Sequence, residues 1–301
     1  MSLSKKRNNE KNITRIKKTK KIDKNRCSPK NASNKYTCFS KESLITMIKA
    51  CNKYYKNDKI KYNSNSSVKS LWKKLDSKFK NVCNNERCWI DQPPIKEYAN
   101  DNDNLKETFR PKMPKEWNIN KNEWLNTNDI ENVLRQYQKK HHDFMFIGAV
   151  PIDFDNELSP GMCVINELCK INLDSMLKNN KTKLGIVFNL DKHDEPGSHW
   201  VALYGDFNQN KIIFFDSYGT KPPNEVIKLM KRLKTQGRSN NKRIKLYVNK
   251  TRHQYKNSEC GVYSIDFITK LLEGHKFEDL YSQQIPDDVM ERKRDFYFIR
   301  V

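Results

Sequence analysis

The stretch HWVALYGDFNQNKIIFFDSY, residues 199–218, decides how the second half of this chain is read. Two runs rich in β-branched and aromatic residues, His199–Phe207 and Lys211–Tyr218, flank the polar triplet Asn208-Gln209-Asn210. That pattern predicts an antiparallel hairpin. Folding the runs back on three turn residues brings His199 and Asp216 across the ladder at its open end. A carboxylate placed there can accept the ring N–H of an imidazole and fix its tautomer.

Working outward, Lys183–Leu190 is a further β-rich run and Ile244–Asn249 another. Pro222 and Pro223 precede a helical pattern of Val226, Ile227, Met230 and Leu233, with Gly237 as its expected stop. Cys260-Gly261 opens a second helix through Ile265, Ile268, Leu271 and Leu272 that ends near Gly274. Strands mixed with helices and joined by a hairpin predict an α+β domain.

Upstream, Ser40 is placed to cap a helix carrying Leu44, Ile45, Ile48 and Cys51. After a polar gap at Asn63–Ser67, a second helical pattern runs through Val68, Leu71, Trp72, Leu75 and Phe79. Gln92-Pro93-Pro94 reads as a loop, and Pro111 and Pro114 mark a boundary. The expected organisation is a basic disordered tail over 1–35, a helical accessory domain over 36–115 and a catalytic domain over 116–301.

The 301 residues carry a formal charge of +22, from 58 basic and 36 acidic side chains. Residues 1–35 hold thirteen basic groups, Lys17, Lys18, Lys20 and Lys21 among them, against Glu10 and Asp23, so half of the net charge is in the tail. Such a segment cannot bury enough apolar surface to offset its ordering entropy. It reads as a solubilising tail, as an arm for nucleic acid, or as both. No apolar run approaches the ~20 residues of a membrane span. The N-terminus lacks the apolar core of a secretory signal, so export by that route is not expected. The eight cysteines are expected as reduced thiols in a cytosol-like compartment.

A cysteine nucleophile needs an imidazole to hold it as thiolate, and the imidazole needs an orienting acceptor. His199, Asp216 and Cys260 can supply these. A helix start at Cys260 adds the positive end of a dipole and free backbone N–H groups. Gln254, six residues earlier, can add a side-chain amide to stabilise an oxyanion. Each residue has a bland reading, as half-buried strand histidine, turn aspartate or small core cysteine. The ordered set is harder to explain that way. Cys163 has no His or Gln pattern nearby and reads as structural. His253 is expected to face away from Gln254. Cys83 and Cys88 could form half of a zinc site only with Cys27, Cys38 or Cys51 at irregular spacing, so no metal is expected.

His-Trp, an acid seventeen residues on, then Gln-x5-Cys-Gly resembles the cysteine proteases that include adenovirus endopeptidase and the SUMO-specific proteases. Trp124-Leu125-Asn126 resembles the Trp-Leu-Asn-Asp that opens the SUMO-protease domain, although Thr127 replaces the Asp. Arg252-His253-Gln254, Ser258-Glu259-Cys260-Gly261 and Tyr263-Ser264 are most similar to polyprotein-processing proteases of large DNA viruses, of the African swine fever virus type. Cys83-x4-Cys88 followed by Lys96-Glu97-Tyr98-Ala99 resembles the N-terminal domain of that type.

The resemblance implies a papain-like, Ulp-like fold with a central mixed sheet flanked by helices. It implies Cys260 as nucleophile, His199 as base, Asp216 as its orienter and Gln254 in the oxyanion hole. Trp124 and Trp200 would enclose a substrate glycine pair, so cleavage after Gly-Gly is expected. The expected function is a virus-encoded endopeptidase that processes structural or core precursors during virion maturation, in the virion and the cytoplasmic viral factory. No cofactor is required, and DNA is a candidate activator through the tail. The rivals are a deconjugase of ubiquitin-like modifiers, an acyltransferase and a non-catalytic nucleic-acid-binding scaffold.

Overall fold

The computed structural model describes residues 26–31, 36–100, 105 and 107–299. Lys17, Lys18, Lys20 and Lys21 lie outside these residues. The elements in chain order are α1 (Lys41–Tyr54), α2 (Val68–Phe79), α3 (Pro93–Asn100), α4 (Thr127–Lys140), β1 (Phe144–Pro151), β2 (Glu157–Ser159), β3 (Met162–Cys163), α5 (Asn166–Cys169), α6 (Leu173–Lys178), β4 (Lys183–Asn189), β5 (Trp200–Asp206), β6 (Lys211–Phe215), α7 (Asn224–Ser239), β7 (Lys245–Val248), α8 (Cys260–Leu272), α9 (Phe277–Tyr281) and α10 (Asp287–Tyr297).

Five strands form one mixed sheet in the order β1-β4-β5-β6-β7. β1 runs parallel to β4 and β6 parallel to β7, while β4–β5 and β5–β6 are antiparallel. The expected hairpin is β5–β6, with Asp206 opposite Lys211 and Ala202 opposite Phe215. Asn210 takes the left-handed φ of 55° that the tight turn needs.

Side-chain alternation divides β5 between two cores. Ala202 and Tyr204 face a layer with α4 and α8, while Val201 and Leu203 face one with α6 and α7. The layer around α8 covers it on nearly every side, so the helix is mostly apolar and of its thirteen residues only Lys270 escapes full burial.

α1 and α2 begin where Ser40 and Ser67 accept the backbone N–H groups of Ser43 and Ser70. They pack with α3 around Leu44, Ile48, Leu71, Leu75 and Trp89. Ile299 joins this core from the far end of the described chain: its N–H bonds to Pro111 O, and its carbonyl accepts from Met113 N–H, both at 2.9 Å. Among the described residues no helix is long and apolar enough to cross a membrane.

The structure corrects three expectations. Pro93 starts α3 instead of sitting in a loop, since the first turn of a helix tolerates a residue with no N–H. Gly237 does not stop α7, which continues to Ser239. Its missing side chain serves packing, because a Cβ there would lie 2.4 Å from Ile244 Cδ1. The cysteines are not all thiols: Cys27–Cys38, Cys83–Cys88 and Cys163–Cys169 are disulfides, leaving Cys51 and Cys260 free and buried. This pairing uses four of the cysteines considered for zinc. Among the described residues no group of three or more His, Cys, Asp or Glu can hold a metal ion.

Candidate active site

The site forms where β5 begins, β6 ends and α8 starts. His199 Nε2 lies 2.7 Å from Asp216 Oδ1, and both residues are buried. With Nε2 engaged by the carboxylate, Nδ1 is the ring nitrogen left free to interact with Cys260. Burial pulls the imidazole pKa down, but hydrogen bonding to Asp216 and Cys260, reinforced by their charges, raises it to about 9. The imidazolium is therefore the favoured form at neutral pH, which is what a thiolate partner requires.

Asp216 is itself held in place. Its Oδ1 accepts from Tyr218 N–H at 2.9 Å, its Oδ2 accepts from the Thr220 hydroxyl, and its carbonyl accepts from Asn249 Nδ2 at 2.7 Å. The Tyr218 ring stacks on the imidazole, with centroids 4.6 Å apart and planes 17° apart. The motif pattern did not single out Tyr218, Thr220 or Asn249. For Tyr218 and Thr220 the available signal was nearness to Asp216 in sequence; Asn249 offered none.

Gln254 is fully buried. Its Oε1 accepts from the Ser217 hydroxyl and its Nε2 donates to Lys256 O, both at 2.7 Å. An amide nitrogen has two hydrogens, and the bond to Lys256 O uses one of them. Cys260 is the first residue of α8 and is 2% exposed. Gly261 lets another segment approach the helix start closely: a Cβ there would lie 3.0 Å from Leu125 Cβ.

The two tryptophans occupy different environments. Trp124 is 39% exposed and lines a cleft of about 640 Å³ with Asn120, Glu123, Tyr255, Asn257 and Ser258. Trp200 lies in the core and donates its indole N–H to Leu125 O at 2.8 Å, bracing the segment that carries Trp124. Asn126 then caps α4 in a reciprocal box with Asp129.

The remaining candidates sit elsewhere. His253 is buried against Phe215 and Tyr281, and burial lowers its pKa to about 4. Its Nδ1 accepts from Ile285 N–H. Cys163 is bonded to Cys169 and so cannot act as a thiolate.

The family profile described as "Ulp1 protease family, C-terminal catalytic domain" matches residues 177–300. A thiol protease of Acanthamoeba polyphaga mimivirus is 32% identical over 281 residues, covering 87% of this chain and 89% of the relative. A cysteine protease of African swine fever virus (isolate Tick/Malawi/Lil 20-1/1983) is 29% identical over 231 residues, covering 72% of this chain and 83% of the relative. The crystal structure of the ASFV pS273R protease superposes with a TM-score of 0.66 at 23% identity, over 92% of this chain and 96% of that one. That superposition establishes the shared fold. The identity to the mimivirus relative, with the profile match, places this chain in the Ulp1 protease family, as a cysteine-type endopeptidase.

Proposed function

We propose that this chain is a virus-encoded endopeptidase that cuts precursor proteins after Gly-Gly during particle maturation. The observation that carries the reading is the 2.7 Å hydrogen bond between His199 and Asp216, with Cys260 near enough to help raise the imidazole pKa. Cys260 thiolate attacks the carbonyl carbon of the second glycine. Cys260 N–H and the spare Gln254 N–H stabilise the oxyanion, and His199 gives its proton to the departing amine. Water, deprotonated by the now neutral His199, hydrolyses the thioester and restores the pair. Trp124 shapes the approach so that residues without side chains pass, and Trp200 acts from the core by bracing the segment that carries Trp124.

The same proposal assigns residues 116–301 to catalysis, 36–115 to a helical accessory region and Lys17, Lys18, Lys20 and Lys21 to nucleic-acid contact, with no cofactor required and DNA as a candidate activator. The enzyme would act in the cytoplasmic viral factory and in the particle. The kinship with African swine fever virus proteases, described as cysteine proteases, supports the viral setting. One such relative is described as a SUMO-1 cysteine protease, which favours deconjugation as the second reading.

The test is cleavage of a flexible Gly-Gly-Ala peptide and of a folded ubiquitin-like fusion by wild type and Cys260→Ala, with and without DNA. Cleavage of the peptide by wild type alone is expected. Preference for the folded fusion selects the deconjugase, and cleavage by Cys260→Ala overturns the site.

A further inference from the structure

Cys260 follows Glu259, a fully buried carboxylate whose neutralising partner comes from far along the chain. Arg294 of α10, itself 4% exposed, places Nε at 2.8 and 3.1 Å from the two Glu259 carboxylate oxygens. Its other two nitrogens reach backbone: Nη1 donates to Glu123 O at 2.7 Å and Nη2 to Ser258 O at 3.1 Å. The guanidinium lies 4.4 Å from the centre of the Trp117 ring. The Ser258 hydroxyl completes the arrangement by donating to Glu259 Oε1.

Glu123 and Ser258 both line the 640 Å³ cleft, on segments that the sequence separates by more than a hundred residues. The 120–124 segment carries Trp124, and the 255–258 segment leads into Cys260. One planar cation thus joins the two walls and, through Glu259, the start of the nucleophile helix. We propose that Arg294 is a positioning residue that fixes the width of the substrate cleft, rather than only a buried ion-pair partner. Only arginine has donors on three nitrogens in one rigid plane; a lysine can balance the Glu259 charge but cannot span both carbonyls. The inference rests on Cys260 being the nucleophile and the cleft receiving substrate.

The test uses the full chain with Arg294→Lys, which keeps the charge. A second variant, Glu259→Leu with Arg294→Met, removes both charges so that no lone carboxylate is left buried. For each, KM and kcat are measured on the Gly-Gly-Ala peptide together with the melting temperature and the rate of Cys260 alkylation by iodoacetamide. The expected result is a KM raised about tenfold in whichever variant folds, with alkylation within about threefold of wild type. A purely structural residue would lower kcat with the folded fraction and leave KM alone. A KM within about twofold of wild type in a folded variant overturns the role. Wild type that does not cut, or Cys260→Ala that does, overturns the reading on which it rests.

Discussion

Tyr218 lies flat against the imidazole of His199, its ring centre 4.6 Å away, while its own backbone N–H holds Asp216. One residue thus restrains both the ring and the carboxylate that orients it. Tyr218→Ala should lower kcat/KM about five- to tenfold, the equivalent of an aromatic contact of ~1 kcal/mol, with little change in melting temperature. Tyr218→Phe keeps the stack and should stay within about twofold. Equal losses in the two variants would transfer the effect to the hydroxyl, which faces Lys256 O at 3.4 Å.

The raised pKa of His199 predicts a pH dependence of stability. The group binds its proton more tightly in the folded state, at about 9 against 6.5. Its contribution is therefore complete below pH 6.5 and is lost as pH rises through 9. Over that window wild type should lose up to about 3 kcal/mol that His199→Gln does not lose. Urea unfolding at the two ends of the window measures this, and parallel curves for the two proteins would contradict it.

Gly237→Ala tests the corrected role of that glycine. By helix propensity alone the change should stabilise α7 by about 1 kcal/mol. Because its Cβ would press on Ile244 Cδ1 at 2.4 Å, we expect a net loss of about 1–3 kcal/mol. Adding Ile244→Val, which removes that methyl, should recover part of it. A stabilised single variant would show that the Ile244 side chain gives way and that the missing Cβ serves no packing role.

The cysteine pairing makes a direct count possible. Unreduced protein unfolded in guanidinium should titrate two thiols of the eight cysteines, those of Cys51 and Cys260. Alkylation before digestion should label only these two positions, and eight titratable thiols would refute the pairing.

These corrections show which parts of the structure were legible in the sequence. The β5–β6 hairpin was, because a polar triplet between β-rich runs is a local signal and the register then places His199 near Asp216 without further information. The start of α8 was legible for the same reason, since Cys260-Gly261 precedes a helical apolar pattern. Gly237 was misread because its constraint comes from Ile244, beyond the turn after α7, whereas glycine near a helix end looks locally like a stop. The disulfides were missed because compartment was inferred from composition, and composition carries no information about which sulfurs meet. Glu259 drew notice only as part of a motif. Its partner lies 35 residues later and the Glu123 contact spans 171, separations at which periodicity says nothing.

Those separations also bear on when the enzyme can become active. The chain is made from its N-terminus, and the sheet, His199, Asp216 and Cys260 are all synthesised before Arg294. Until that residue has been added and α10 has docked, Glu259 has no countercharge and the two cleft walls are not joined. A nascent chain can thus hold His199, Asp216 and Cys260 and still lack the ion pair that joins the two segments, which forms only once α10 has been made and docked.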